Sequence, residues 1–259
     1  MTTSADRLAS YPSLRDRTVL VTGGSTGIGA SIVEHFAGQG SRVAFLDRDE
    51  AGASSLVGAL APRSLHTPLF LPCDLTDVAA LRGAIGEASA RLGAIQVLVN
   101  NAASDDRHRL EEVTPEYWDE RMAVNLRHYF FAVQAVVPAM RAAGRGSIVN
   151  LSSIAWVIPS TGLPAYVTAK AGIVGLTRTL AHELGPDGVR VNCVMPGAIA
   201  TERQRRLWLT PEYQAEIESR QALKRQLVPE DVARLVLFLA ADDSEAVTSQ
   251  SYVVDGGWV

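Results

Sequence analysis

The chain has 259 residues, 47% hydrophobic, 6% aromatic and 20% charged, which is the balance of a folded chain and excludes the disordered class. That length suffices to bury about three-quarters of the unfolded chain's surface without a disulfide or metal staple. A formal net charge of −4 argues against a nucleic-acid partner. The opening residues lack the apolar core of a secretory signal, and no run approaches the ~18 apolar residues of a membrane span, so a cytoplasmic chain with no membrane partner is expected.

Residues 1–14, roughly, read as a polar tail. From there β-branched runs alternate with helix-length stretches. The strand candidates are Thr18–Thr22, Arg42–Leu46, Leu69–Cys73, Ile95–Asn100, Ser147–Ser152, Val189–Met195 and Ser251–Val254. Helical patterns between them include Ile28–Gln39, Val78–Leu92 and Ala165–Leu184. Thr114-Pro115-Glu116 and Thr210-Pro211-Glu212 each place a capping Thr, a first-turn Pro and an acid at the positive end of a helix dipole. Nearly all-apolar strands separated by helices imply a parallel sheet covered on both faces. With no repeat or Pro/Gly-rich linker, residues 1–259 read as one doubly wound α/β domain. Cys73 and Cys193 stand far apart, outside any ligand spacing, and are expected as buried thiols rather than metal or disulfide partners.

Directly after the first strand comes Thr22-Gly23-Gly24-Ser25-Thr26-Gly27-Ile28-Gly29, running into a helical pattern. Glycines there allow a tight turn and bring backbone N–H groups against a pyrophosphate at a helix N-terminus. Gly23, Ser25, Thr26, Gly27, Ile28 and Gly29 are therefore expected to hold a dinucleotide. An acid about twenty residues further on completes the pattern, and here it is Asp47, ending the second strand. Its carboxylate can accept the ribose hydroxyls and repel a 2′-phosphate, which favours NAD. Arg48 next door could serve such a phosphate, so NADP stays open.

Tyr166 and Lys170 lie four residues apart on a predicted helix, hence on one face. Ser153 ends the fifth strand. A free phenol has a pKa of about 10, so a Tyr base at neutral pH needs a positive neighbour, worth about 1–3 pH units. Lys170 and an oxidised nicotinamide are the candidates, with Ser153 hydrogen-bonding the reacting oxygen.

Together these motifs span the chain and resemble the short-chain dehydrogenase/reductase family. Its spacing Gly23-x₃-Gly27-x-Gly29 is matched here. Asp74-Leu75 resembles its adenine-contacting pair, and Asn100-Asn101-Ala102-Ala103 its motif after strand four, with Ala103 where the family has Gly. The resemblance implies Ser153, Tyr166 and Lys170 as catalytic residues, and Asn125 as a helix-bending residue that orders a relay water. It implies that Asn101, Ala102, Tyr166 and Lys170 contact cofactor, Lys170 on the nicotinamide ribose, and that Pro196, Gly197, Ile199 and Thr201 hold its carboxamide. It further implies a seven-stranded sheet ordered 3-2-1-4-5-6-7 and a homotetramer, in which Ala165, Ala169, Gly172 and Gly175 would let helices approach.

Finer features resemble the bacterial aldose 1-dehydrogenase branch: Ser104-Asp105-Asp106-Arg107-His108, Tyr117-Trp118-Asp119-Glu120-Arg121, Asn125-Leu126-Arg127-His128, Ser153-Ile154-Ala155-Trp156 and Thr201-Glu202-Arg203-Gln204. The substrate implied is a small sugar, held by Ser153 and Tyr166, with Asp105 and Gln204 on ring hydroxyls and Trp156 on a C–H face. Arg121, Arg127 and His128 read as solvated surface or an ion-pair network. The expected reaction is NAD-dependent oxidation of a cyclic aldose at C1 to its lactone. Oxidation of another polyol or secondary alcohol is the alternative within the class, and a non-catalytic NAD sensor the alternative outside it.

Overall fold

The computed structural model describes residues 9–259. Its strands are β1 (Thr18–Thr22), β2 (Arg42–Asp47), β3 (Leu69–Pro72), β4 (Val97–Asn100), β5 (Gly146–Leu151), β6 (Val189–Pro196) and β7 (Ser251–Val254). They form one parallel sheet in the order β3-β2-β1-β4-β5-β6-β7. The helices are α1 (Gly27–Gly38), α2 (Glu50–Leu60), α3 (Val78–Leu92), α4 (Pro115–Met122), α5 (His128–Ala143), α6 (Pro164–Leu184), α7 (Glu202–Leu207), α8 (Pro211–Arg220) and α9 (Pro229–Ala240).

Alternate residues of each central strand enter opposite cores, which is why these strands are apolar throughout. Val19, Val21, Val97, Val99 and Val149 pack with α1 and α9 on one face. Leu20, Leu98 and Ile148 pack with α3, α5 and α6 on the other. The register pairs Thr22 with Asn100 and Asn100 with Asn150, so the C-terminal ends of β1, β4 and β5 lie side by side. The chain turns one way after β1 and the other after β4. That reversal opens the crevice where open α/β sheets bind ligands.

Buried polar groups fix α6 against this edge. The Asn100 amide donates to Asn150 (2.9 Å), and the Asn150 amide donates to Thr177 of α6 (3.0 Å). Ser152 Oγ donates to the Lys170 carbonyl at 2.6 Å. Each bond satisfies a group that would otherwise lose water without compensation. Between α4 and α5 the helix widens into a π segment over Ala123–Arg127, a local bulge that carries Asn125.

One expectation is corrected. Of the polar tail placed over residues 1–14, residues 1–8 lie outside the described residues, and the remainder is docked. Leu14 is fully buried, Ser41 Oγ donates to its carbonyl (2.7 Å), and Tyr11 N donates to Gln39 Oε1 (2.7 Å). Of the small residues of α6, Ala165 and Ala169 pack within this chain, whereas Gly175 is exposed with open space at its Cβ position. Ala165 and Ala169 are fully buried, and a Cβ on Gly172 would sit 3.2 Å from Leu126 of the π segment.

Candidate active site

A cavity of about 1180 Å³ follows the C-terminal strand ends. Its floor is the glycine turn between β1 and α1. Gly23 and Gly27 take φ of +68° and +58°, and a Cβ on Gly29 would lie 1.8 Å from the Gly23 carbonyl, so no side chain fits there. Asn101 clips the turn from β4: its amide donates to the carbonyls of Thr22 (3.1 Å) and Gly23 (2.9 Å). Asn101 N and Ala102 N both donate to Thr22 Oγ1. Asn101 thus shapes the cradle as well as lining it. Ser25, Thr26 and Ile28 also line the wall. Ser25 Oγ is buried with no hydrogen-bond partner among the described residues.

Asp47 stands at the end of β2 beside this turn. Its carboxylate accepts from Ser25 N (3.0 Å), Arg48 N (2.8 Å) and Asp49 N (3.1 Å), which fixes its orientation against the cradle. Arg48, Asp74 and Leu75 line the same end. The backbone N–H and then the side-chain hydroxyl of Thr76 hold the Asp74 carboxyl below its ordinary range. At the other end Pro196, Gly197, Ile199 and Thr201 line the cavity after β6. Thr201 also caps α7, its oxygen accepting from Gln204 N at 3.1 Å.

A turn that admits only glycine, an orphaned Ser25 hydroxyl in its wall and a fixed carboxylate one strand away suit a dinucleotide's phosphates and ribose. The residues present fit a nicotinamide dinucleotide.

Between these ends Ser153, Tyr166 and Lys170 converge on the wall. Burial and the Asp105 carboxylate push the Tyr166 phenol up to about 12, while the Ser153 hydroxyl and Arg107 pull it back. Burial pulls Lys170 down to about 7, against Cys193 and Asp105, which favour its ammonium. Lys170 Nζ lies 5.5 Å from the Tyr166 ring centroid. Its hydrogen bonds go to the Leu151 carbonyl (2.7 Å) and to the Tyr129 hydroxyl (3.3 Å). Asn125 is fully buried in the π segment, where it accepts from Ser104 N (2.8 Å) and donates to Ser104 O (3.1 Å). It thereby holds the loop after β4.

That loop is clasped to α7 across the cavity mouth. Gln204 Nε2 donates to Asp105 at 2.6 Å, and Arg203 Nε donates to Asp105 at 3.3 Å. Arg203 also pairs with Asp106, which Arg121 grips at 2.9 Å. Asp105 and Gln204 therefore meet, both lining the cavity. Trp156 does not join them: it is 38% exposed and outside the wall. Arg121 stands in an ion-pair network with Asp106 and Glu120, and Arg127 is exposed. His128 is neither solvated nor ion-paired. It is fully buried, its ring 4.5 Å from that of Tyr129.

Sequence reasoning missed Tyr129, fully buried against Lys170, and gave no role of its own to Arg107, which lines the cavity with its guanidinium 5.1 Å over the Trp208 ring. Tyr129 follows Asn125 by one helical step, the one signal that could have drawn notice. Cys73 and Cys193 are free and buried. Among the described residues no helix is long and apolar enough to cross a membrane.

The sequence profile described as enoyl-(acyl carrier protein) reductase matches residues 23–259. With the fold and relatives below, the chain belongs to the short-chain dehydrogenase/reductase family of NAD(P)-dependent oxidoreductases. It is 55% identical over 249 residues to the "Probable galactose dehydrogenase GalD" of Rhizobium meliloti (strain 1021), covering 96% of this chain and 97% of that one. It is 48% identical over 250 residues to a D-xylose 1-dehydrogenase of Caulobacter vibrioides (strain NA1000 / CB15N), covering 96% and 98%. A 3-oxoacyl-(acyl-carrier protein) reductase from Brucella melitensis, solved with bound NAD, matches with a TM-score of 0.89 at 33% identity, covering 100% of this chain and 97% of that one.

Proposed function

We propose that the protein oxidises a cyclic aldose at C1 to its aldonolactone, with NAD as hydride acceptor and Tyr166 as base. The observation that carries this reading is the polar clamp of Asp105 and Gln204 in the same cavity wall as Tyr166 and Ser153. A carboxylate and an amide there can exchange their mutual bond for bonds to vicinal ring hydroxyls, which an aliphatic wall could not offer. The names of the galactose and D-xylose dehydrogenases support the same substrate class.

The dinucleotide would lie along Gly23, Ser25, Thr26, Gly27, Ile28 and Gly29, with Asp47 on the adenosine ribose and Thr201 at the carboxamide. When bound, it supplies the hydride acceptor and a positive charge. Tyr166, held up at about 12 by burial and Asp105, needs that charge and the Lys170 ammonium to ionise near neutral pH. Ionised Tyr166 takes the proton of the anomeric hydroxyl as C1 loses hydride, and the C1–O bond becomes the lactone carbonyl. Ser153 holds the reacting oxygen, and Asn125 orders the far end of the proton path.

The test follows NADH absorbance across aldopentoses, aldohexoses, deoxysugars and polyols, with the product trapped as a hydroxamate. NADH and lactone from an aldose are expected. Turnover of polyols or simple secondary alcohols without any aldose would replace the C1 assignment.

A further inference from the structure

The Lys170 ammonium lies against two phenol rings, 5.5 Å from the centroid of each: Tyr166 and Tyr129. Tyr129 is fully buried, yet its hydroxyl is not idle. It donates to the Leu151 carbonyl at 3.0 Å, the same oxygen that accepts from Lys170 Nζ at 2.7 Å, and it accepts from that Nζ at 3.3 Å. The three groups close a ring. Leu151 ends β5 two residues before Ser153, and Tyr129 lies one helical step beyond Asn125, so this ring joins the elements that carry the other active-site groups.

We propose that Tyr129 is a positioning residue for the reaction: its hydroxyl, sharing the Leu151 carbonyl with Lys170, fixes the ammonium beside Tyr166. The inference rests on the reading of Tyr166 as base and Lys170 as its cationic partner. A phenol oxygen is an acceptor that a phenylalanine ring cannot replace, and in a buried site a lost acceptor for an ammonium is costly. The groups that face Nζ are Tyr129 and His128 from α5, Tyr166 from its own helix, Cys193 from β6 and Asp105 from the loop after β4. Of these, only Asp105 is a carboxylate. The Tyr129 hydroxyl and the Leu151 carbonyl are the direct acceptors that hold the ammonium in place.

Tyr129→Phe removes one oxygen and keeps the ring, so the packing survives. Three measurements apply: NADH affinity by fluorescence titration, the pH profile of kcat/KM, and the thermal midpoint. The expected result is a several-fold weaker NADH affinity, roughly tenfold lower kcat/KM, and an alkaline limb moved down by about one pH unit, because the ammonium loses its proton earlier. A purely structural Tyr129 would lower the thermal midpoint alone. Superimposable pH profiles and equal NADH affinity would overturn the proposal. Should Tyr166→Phe keep its turnover, the base assignment falls, while NADH affinity still judges Tyr129 by itself.

Discussion

As the proposed base, Tyr166 would act through one oxygen, and its surroundings oppose ionisation until positive charge arrives. Tyr166→Phe is expected to lower kcat by about 10²–10⁴ while leaving NADH affinity within a few-fold, since ring and cavity wall remain. Retention of more than about a tenth of kcat would remove it as the base. At the opposite end, Asp47 is the residue proposed to discriminate between cofactors. Because its carboxylate is already fixed by three N–H groups, it would meet an incoming 2′-phosphate with its acceptor oxygens preset. NAD should be preferred, and Asp47→Ala should narrow the ratio of kcat/KM for NAD over NADP, with Arg48 free to pair with the phosphate. Equal use of both cofactors by the unaltered protein would defeat that role. Asp105→Ala should lower kcat/KM for the best aldose by roughly 10–150-fold, the worth of one charged hydrogen bond. A sugar lacking the partnered hydroxyl should lose less. Equal loss on every sugar would mean that Asp105 acts only through its clasp with Arg203 and Gln204.

At the scale of elements, the cradle and the π segment both depart from regular structure, and both contribute to the cavity wall, the π segment through Val124. The turn closes so tightly that Gly29 has no room for a methyl group: the Gly23 carbonyl lies at 1.8 Å and the Asn101 amide at 2.7 Å from its Cβ position. Gly29→Ala must therefore push the turn off the β4 clip. NADH affinity should fall at least tenfold, with a thermal midpoint several degrees lower, the scale of a lost clip and a strained turn. Unchanged affinity in a titration of that variant would show that the phosphates do not use this turn. The clasp between the loop after β4 and α7 has a different character. Its Arg203 is exposed, so its ion pairs contribute little to stability and act instead on the shape of the mouth.

For the whole molecule, the buried pair His128 and Lys170 couples stability to acid. Burial, with help from the Lys170 charge, lowers the His128 ring from 6.5 to about 3, although the carbonyls of Ala123 and Val124 favour its proton. Below pH 6.5 the unfolded chain takes up a proton that the folded protein refuses. The stability present above that pH is thus lost progressively toward pH 3, by on the order of 4 kcal/mol. Thermal midpoints from pH 7 to pH 4 should fall less steeply for His128→Asn than for the unaltered chain. Parallel curves would place the acid sensitivity elsewhere, in carboxylates such as Asp231 or Asp242 whose ion pairs hold them low.

The sequence by itself determined the sheet, its cradle and the Tyr166–Lys170 pair, because each is written in a local period. Apolar runs make strands, a glycine turn joins strand to helix, and residues four apart share a helix face. Boundaries shifted by only a residue or two, as where β4 begins at Val97 rather than Ile95. Tertiary structure alone decided the rest. Asp105 meets Gln204 across 99 positions of chain, and Lys170 meets Tyr129 across 41. His128, a charged-surface candidate by its neighbours Arg127 and Arg121, went inside directly after the π segment. Trp156, one short turn beyond Ser153, went outside. Such contacts depend on how far each strand projects and where each helix crosses it. No local pattern encodes that alignment, since it is the packing of two cores on one sheet that sets which side chains converge at its edge.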